Sequence, residues 1–307
     1  MANDISGAPS FSPYRLTHQA HTPYRRFALS PIRQRALSLT SAVARVSSQA
    51  MKGPLNGQVA VVTGVSRAKS IGSAIARQLA KDGAHLFMTG WPEYDDEESW
   101  KPDHLEQPLL VDEVRKLGVE AHWLPIDLSI PQAPQKLWEA VQARFEVAHI
   151  LVNNACVSSR DSIESFDTAT LDRHYAVNTR APVLLSVEFV RRFGGKGARR
   201  IISMTSGQML GPMRGELAYL VTKAGLDAFT ITFAAEVGHL GITVNAVDPG
   251  PTDSGGMTLD LQETLRPRFA LGRLGQPEDA AHLIAFLAGP DGGWITGQIL
   301  RSRGGFE

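Results

Sequence analysis

Val59-Ala60-Val61-Val62-Thr63-Gly64-Val65-Ser66-Arg67-Ala68-Lys69-Ser70-Ile71-Gly72-Ser73-Ala74-Ile75-Ala76 is the stretch on which the reading of this chain turns. Its first five residues form a short run rich in Val, bounded by a glycine, as a fully buried strand requires. From Ile71 the apolar residues fall at helical spacing through Lys81. A glycine-bearing turn between a first strand and a first helix is where a dinucleotide pyrophosphate sits: small residues admit the backbone, and the helix N-terminus favours the anion. Seven residues separate Gly64 from Gly72, so the usual Gly-x-Gly spacing is not kept. By itself the turn is a weak signal, equally read as a plain strand–helix connection.

Outward from this turn the pattern repeats. Ala84–Thr89, Ala121–Ile126, Ile150–Asn153, Arg200–Met204 and Ile242–Val247 read as further buried strands. Helical patterns lie between them at Leu109–Lys116, Gln135–Phe145, Leu171–Arg192 and Glu216–His239. A last helix, Pro277–Leu287, precedes a strand near Gly297–Leu300. Strict strand–helix alternation means parallel strands with crossover helices, and both faces of such a sheet are covered. The expected fold is α/β: one doubly wound parallel Rossmann sheet with helices on both faces, a single domain over residues 53–307. Glu93–Glu98 reads as a solvated acidic loop, and Gly255–Gly275 as a mobile lid over a substrate.

Residues 1–52 differ from the rest. Residues 1–50 hold six Arg and one acid, Asp4, a balance of +5, while the remaining 257 residues carry −5 and the whole chain is neutral. Arg-rich, Ser-rich and acid-poor is the composition of an organelle transit segment; a disordered tail, or a start codon placed upstream of Met51, reads equally from it. Without the leader the expected location is the cytoplasm. Zero net charge gives no support to nucleic-acid binding. No run of 18 apolar residues predicts a membrane span. One cysteine, Cys156, forms no internal disulfide and no zinc cluster, which matches a reducing compartment.

The spacing Ser206-x12-Tyr219-x3-Lys223 is the strongest chemical signal. Ser206 follows a strand, and a spacing of four sets Tyr219 and Lys223 on one face of the next helix. A carbonyl that accepts hydride becomes an alkoxide and needs a proton donor. Tyrosine, with an ordinary pKa near 10, serves if a neighbouring cation favours the phenolate, and Lys223 is placed to do so. The Ser206 hydroxyl can donate to the same oxygen.

These residues resemble the short-chain dehydrogenase/reductase family over about residues 56–305. Thr63-Gly64, Ser66-Arg67 and Ile71-Gly72 are similar to its glycine motif, with a net insertion of two at Ala68-Lys69-Ser70 and without the middle glycine. The resemblance implies that Asp127-Leu128 meets the adenine. It implies further that Asn154-Ala155 lies along the cofactor, with Cys156 where glycine is usual. Pro249-Gly250, Thr252 and Ser254 are then placed beside the nicotinamide carboxamide, and Asn178, Ser206, Tyr219 and Lys223 form the catalytic tetrad. Lys223 would also bind the nicotinamide ribose, and Asn178 would hold a water in a proton relay. Strand two ends in Gly90-Trp91 without the acid of NAD-preferring members or the Arg of NADP-preferring ones, and Arg67 and Lys69 remain for a 2′-phosphate, so NADP(H) is favoured over NAD(H). The tail Arg301-Ser302-Arg303-Gly304-Gly305 departs from the usual Val-Asp-Gly-Gly.

The implied activity is hydride transfer between the nicotinamide and a carbonyl or secondary alcohol, with a general likeness to 3-oxoacyl-thioester reductases and, by resemblance, a homotetramer. The enoyl-reductase branch spaces Tyr and Lys seven apart, and Leu226 occupies that place here. A non-catalytic NAD(P) sensor on the same fold is the alternative; such proteins lose the Tyr or the Lys, and both stand here.

Overall fold

Five consecutive residues of β1, Val59–Thr63, are buried, because the strand is covered on both faces. This computed structural model describes residues 53–97, 106–195 and 197–307; the leader expected in residues 1–52 lies outside them. The strands that follow are β2 (His85–Gly90), β3 (Ala121–Pro125), β4 (Ile150–Asn153), β5 (Arg199–Met204), β6 (Ile242–Asp248) and β7 (Ile299–Arg301). They form one parallel seven-stranded sheet in the order β3-β2-β1-β4-β5-β6-β7. The chain leaves β3 at one edge and re-enters the sheet beside β1, so the β1/β4 junction is the switch point at which such sheets bind ligands.

The helices are α1 (Ile71–Lys81), α2 (Pro92–Glu97), α3 (Glu106–Arg115), α4 (Ala133–Gln142), α5 (Thr168–Tyr175), α6 (Ala181–Phe193), α7 (Leu217–Val237), α8 (Leu259–Leu265) and α9 (Pro277–Ala288). Side chains alternate across each strand and split the core in two. Ala60, Val62, Leu86, Met88 and Val152 pack with α1, α3 and α9. Val61, Phe87, Leu151, Ile201 and Val244 pack with α4, α6 and the end of α7. Trp138, Phe189 and Phe193 form an aromatic cluster in the second core, with ring centroids 5.4–5.9 Å apart.

Three departures from the sequence reading have physical causes. The helix expected over Leu171–Arg192 is two helices joined by a π-turn, Ala176–Arg180. Pro182, in the first turn of α6, has no N–H to continue an α-ladder, and the Ala181 N–H reaches back five residues to the Ala176 carbonyl. The acidic stretch expected to be a solvated loop contains α2, with Asp95 buried. The expected lid carries a short helix, α8, capped by Thr258 Oγ1 accepting from the Leu261 N–H. Among the described residues, one helix, Leu217–Leu240, is long and apolar enough to cross a membrane; it packs against β6 and buries Lys223 and Asp227.

Candidate active site

The turn after β1 is shaped by close approach. Gly64 has φ +74°, and a Cβ there would stand 2.7 Å from Ala155 Cα and from Asn154 Nδ2. A Cβ on Gly72 would stand 2.3 Å from the Gly64 carbonyl oxygen. The Asn154 amide donates to the Thr63 and Gly64 carbonyls at 2.9 and 3.0 Å, and Thr63 Oγ1 accepts from the Asn154 and Ala155 N–H groups. Asn154 therefore braces the turn across the switch point while lining the cleft.

The lengthened loop is held by its own contacts. Ser70 caps α1, its Oγ accepting from the Ser73 N–H at 3.1 Å. Ser73 Oγ donates to the Arg67 carbonyl, Arg77 to the Ala68 carbonyl at 2.8 Å, and Trp123 Nε1 to the Val65 carbonyl at 2.6 Å. Glu106 accepts from the Ala68 N–H, and Gln107 donates to the Ser66 carbonyl. Lys69 Nζ reaches Asp253 Oδ2 at 2.7 Å.

A cleft of about 450 Å³ opens beside this turn. Gly64, Ser66, Arg67, Ile71, Gly72, Asp127, Leu128, Asn154, Ala155 and Ser254, all expected at a cofactor, line it. Pro249, Gly250 and Thr252 lie outside its lining, as do the four expected catalytic residues. Asp127 Oδ1 accepts from the Ser129 N–H at 2.8 Å, so Asp127 also closes a turn. The arrangement fits a dinucleotide: glycines where a backbone must approach, a helix N-terminus, and a cleft with polar and apolar walls at the switch point.

Trp91, noted in the sequence at the end of strand two, lines the same cleft, and sequence reading missed Tyr94, Asp95 and Arg173, which line it too. Tyr94 Oη accepts from the Ser158 N–H at 3.3 Å, and the Arg173 guanidinium lies 5.5 Å from the Tyr94 ring centroid. Asp95 Oδ1 stands 3.4 Å from Arg67 Nε, while Arg67 Nη1 donates to the Ser254 carbonyl at 3.1 Å. Arg67 and Lys69, expected to remain available for a 2′-phosphate, are both engaged with protein partners. An acid five residues beyond the end of β2 carries no periodic signal; only the fold brings Asp95 to Arg67.

The residues expected to carry proton transfer gather beyond β5. Ser206 follows the strand, and Tyr219 and Lys223 stand on α7, one turn apart. Asp161 starts that helix from a distance, its two carboxylate oxygens accepting from the Leu217 and Ala218 N–H groups at 2.6 and 2.9 Å. Lys223, 2% exposed, donates to the Met204 carbonyl at 2.8 Å, with its Nζ 5.7 Å from the Tyr219 ring centroid. Asn178 sits in the π-turn: its Oδ1 accepts from the Val157 N–H, and its Nδ2 donates to the Val157 carbonyl, both at 2.8 Å, and to Thr222 Oγ1 at 3.3 Å. A π-turn at a polar site residue is a recurrent functional placement.

The Tyr219 phenol is held well above its ordinary pKa by burial first, then by Cys156, with Glu216 and Asp248 adding to the rise and the Ser206 hydroxyl opposing it. The expectation of a lowered value is not met by the protein's own groups: burial outweighs them, and the Lys223 ammonium donates to the Met204 carbonyl.

Residues 64–307 match a family model described as Enoyl-(Acyl carrier protein) reductase. The chain is 45% identical to YjdA, an oxidoreductase of Bacillus subtilis (strain 168), over 251 residues, 81% of this chain and 96% of that one. A short-chain dehydrogenase from Burkholderia cenocepacia J2315, solved in complex with NADP, superposes with a TM-score of 0.74 at 33% identity, covering 82% of this chain and 99% of that one.

The chain belongs to the short-chain dehydrogenase/reductase family.

Another relative is the NADPH-dependent aldehyde reductase-like protein, chloroplastic, of Arabidopsis thaliana, 34% identical over 82% of this chain and 95% of that protein. As a short-chain dehydrogenase/reductase the chain is an NAD(P)-dependent oxidoreductase acting on a carbonyl or a secondary alcohol. The alternative of a non-catalytic sensor finds no support among these relatives. The Tyr219–Lys223 spacing of four differs from the enoyl-reductase spacing, so the description of the matching model does not carry over as a substrate assignment.

Proposed function

We propose that this chain is an NADP(H)-preferring carbonyl reductase whose proton donor is Tyr219. The observation that carries this is the placement of Tyr219 and Lys223 one turn apart on α7, beside Ser206 at the end of β5, next to the glycine-turned cleft. A nicotinamide held in the cleft supplies or accepts the hydride, and its positive oxidised form favours the phenolate.

The chain's own residues do the rest. Tyr219 gives its phenolic proton to the oxygen of the reduced carbonyl, and takes it back in alcohol oxidation. Ser206 donates a hydrogen bond to that oxygen as charge develops. Lys223, buried and anchored on the Met204 carbonyl, orients Tyr219 and stands where a ribose hydroxyl would be met. Asn178 ties the Val157 loop to Thr222 and so fixes α7 against the cleft. Asp127, Leu128, Asn154 and Ala155, which line the cleft, would flank the dinucleotide, and the segment Pro249, Gly250, Thr252 and Ser254, of which Ser254 reaches the cleft, would hold the nicotinamide carboxamide.

The NADP(H) preference rests on Arg67, whose guanidinium is in the cleft. A 2′-phosphate would compete with the Asp95 carboxylate and the Ser254 carbonyl for this guanidinium, offering a bidentate charge-assisted pair in place of the 3.4 Å contact with Asp95. The Arabidopsis relative is named NADPH-dependent, which agrees. The proposal includes a homotetramer in the cytoplasm, with import into an organelle instead if residues 1–50 are a transit segment. Sedimentation gives the oligomeric state, and imaging with and without residues 1–50 gives the location.

The test is turnover of a ketone, keto-ester and secondary-alcohol panel with NADPH and NADH, in the intact chain and in Tyr219→Phe. The substitution abolishes turnover and leaves NADPH binding, read by fluorescence, nearly intact. Turnover retained in Tyr219→Phe sinks the proton-donor role.

A further inference from the structure

The chain's last residues depart from the pattern of the family that it resembles, and the structure shows where the departure leads. After β7, Ser302 N–H donates to the Asp248 carbonyl at 2.8 Å, and Arg303 turns inward. Arg303 Nη1 pairs with Asp248 Oδ2 at 2.9 Å, with the two side chains 14% and 2% exposed. The other carboxylate oxygen of Asp248 accepts from the Gly250 N–H at 2.9 Å. Asp248 ends β6, and Gly250 belongs to the Pro-Gly segment that leaves it.

The arginine occupies a notch made by two glycines. A Cβ on Gly207, the residue after Ser206, would lie 2.0 Å from Arg303 Nη1, and a Cβ on Gly250 would lie 3.0 Å from Arg303 Cγ. The guanidinium therefore lies against the backbone that carries Ser206. Behind it the tail is fastened to the far end of the lid. Leu271 N–H donates to the Gly304 carbonyl and Glu307 N–H to the Arg268 carbonyl, both at 3.2 Å. The Phe306 ring packs on Phe269 at 4.8 Å and lies under Arg268 and Arg303. No other described acid pairs with Arg303, and its Nε is buried without a partner.

We propose that Arg303 is a positioning residue for proton transfer: its ion pair with Asp248 offsets the negative charge that Tyr219 feels and holds the Ser206–Gly207 turn in place. The groups that act on the Tyr219 phenol are Ser206 after β5, Cys156 after β4, Glu216 at the head of α7 and Asp248 at the end of β6, with Lys223 Nζ 5.7 Å from its ring. Asp248 follows Val247, whose carbonyl accepts from the Thr205 N–H at 2.9 Å, so it ends beside the Thr205–Ser206 turn. Two of these carboxylates have a charged partner: Glu216 meets Arg160 at 3.7 Å in a pair open to solvent, whereas the Asp248–Arg303 pair at 2.9 Å is buried and so little screened. A carboxylate so buried needs a partner, and removing the partner leaves its charge uncompensated beside the phenol. The Asp248 charge also reaches Asp227, which Thr205 and Gln208 hydrogen-bond and Lys223 opposes, so the pair bears on the floor of the whole site.

The inference rests on Tyr219 being the proton donor, and its test reads Tyr219 without turnover. The phenolate is titrated by ultraviolet absorbance in the full chain with saturating NADP+, taking the difference against the same chain carrying Tyr219→Phe. Arg303→Gln moves the midpoint up by about one pH unit, the low end of what one neighbouring charge imposes. Asp248→Asn moves it down by a comparable amount, and the double variant returns it to the wild-type value. Arg303→Lys, which keeps the charge, stays near wild type. Asp248→Asn and the double variant keep the test decisive if Arg303→Gln alone does not fold. A packing role alone lowers the melting temperature in all of them and leaves the midpoint unmoved. That result, or an Arg303→Gln shift that Asp248→Asn does not reverse, overturns the inference. Turnover surviving in Tyr219→Phe would instead overturn the proton-donor reading.

Discussion

Lys69 Nζ lies 2.7 Å from Asp253 Oδ2, and this contact ties the lengthened turn after β1 to the segment that leaves β6. Arg67, two residues earlier, reaches the neighbouring Ser254 carbonyl. The insertion at Ala68-Lys69-Ser70 thus connects the wall of the cofactor cleft to the start of the expected lid. The Asp253 carboxyl is held below its usual range by its Lys69 hydrogen bond first, against burial, with the Gly255 N–H assisting.

The first prediction is the pH dependence of that contact. An acid whose folded pKa is depressed stabilises the fold above its unfolded value, about 3.9 for Asp. That contribution is lost as pH falls through the lowered folded value. Lys69→Met removes the main cause. Its melting temperature falls less steeply with acidification than that of the wild type, and at neutral pH the loss stays within about 1 kcal/mol because Lys69 is largely exposed. Thermal melts across the acid range check it; parallel curves for the two proteins refute it.

A second prediction concerns Arg67 and Asp95. A hydrogen bond to a charged group is worth about 1.5–3 kcal/mol, so Arg67→Met raises the KM for NADPH about tenfold or more and leaves that for NADH nearly unchanged. Asp95→Asn weakens the internal competitor for the same guanidinium and lowers the NADPH KM. Steady-state kinetics with both cofactors decide it. Equal losses for NADPH and NADH in Arg67→Met would mean that Arg67 serves the loop and not the phosphate.

Gly64 offers a steric prediction with an internal control. Gly57 and Gly64 have nearly the same φ, +78° and +74°, but a Cβ on Gly57 meets nothing within 4 Å. Gly57→Ala incurs only the left-handed strain, about 1–2 kcal/mol. Gly64→Ala adds a clash with the Ala155 backbone and loses more stability, together with NADPH binding. Melting temperature and fluorescence enhancement of NADPH separate the two; equal effects would show that close approach at the switch point is not what Gly64 provides.

The parallel sheet was legible because its central strands are continuous apolar runs and each crossover helix has its own period; β3, expected to be buried, is an edge strand that leaves Leu124 and Pro125 exposed. The catalytic spacing was legible for the same reason: Ser206 sits at a strand end, and Tyr219 and Lys223 share a helix. What sequence left hidden are contacts between distant segments. Asp95 reaches Arg67 only after α2 folds back over the cleft, and Asp161 caps α7 from fifty-six residues upstream. The π-turn at Asn178 was masked by unbroken apolar spacing, although Pro182 marked where the ladder must fail. The direction of the Tyr219 shift is set first by the burial of its phenol, which residue spacing does not specify.

Asn178 provides the fourth prediction. Asn178→Ala leaves the buried Val157 N–H and carbonyl without their partner, at about 1–3 kcal/mol for each unsatisfied group. At about 2–4 °C per kcal/mol for a domain of this size, the melting temperature drops measurably. kcat falls as well, because the Val157 loop and α7 lose a common brace. Thr222→Val removes the 3.3 Å contact and the hydroxyl's bonds to the Ala218 and Tyr219 carbonyls, both of which lie within α7, and has the smaller effect. A Thr222→Val loss as large as that of Asn178→Ala would assign the bracing to the Thr222 hydroxyl and its own bonds on α7.

The last prediction concerns residues 1–50. Both halves of the core, the seven-stranded sheet, the cleft and the proton-transfer groups are built from residues 53–307. The relatives reported above match about four-fifths of this chain and nearly all of their own. A chain beginning at Met51 folds with the same melting temperature as the full chain and turns over the same ketones with the same KM for NADPH. Loss of folding on truncation would show that the leader is part of the domain. Loss of turnover with the fold intact would instead place part of the leader at the site.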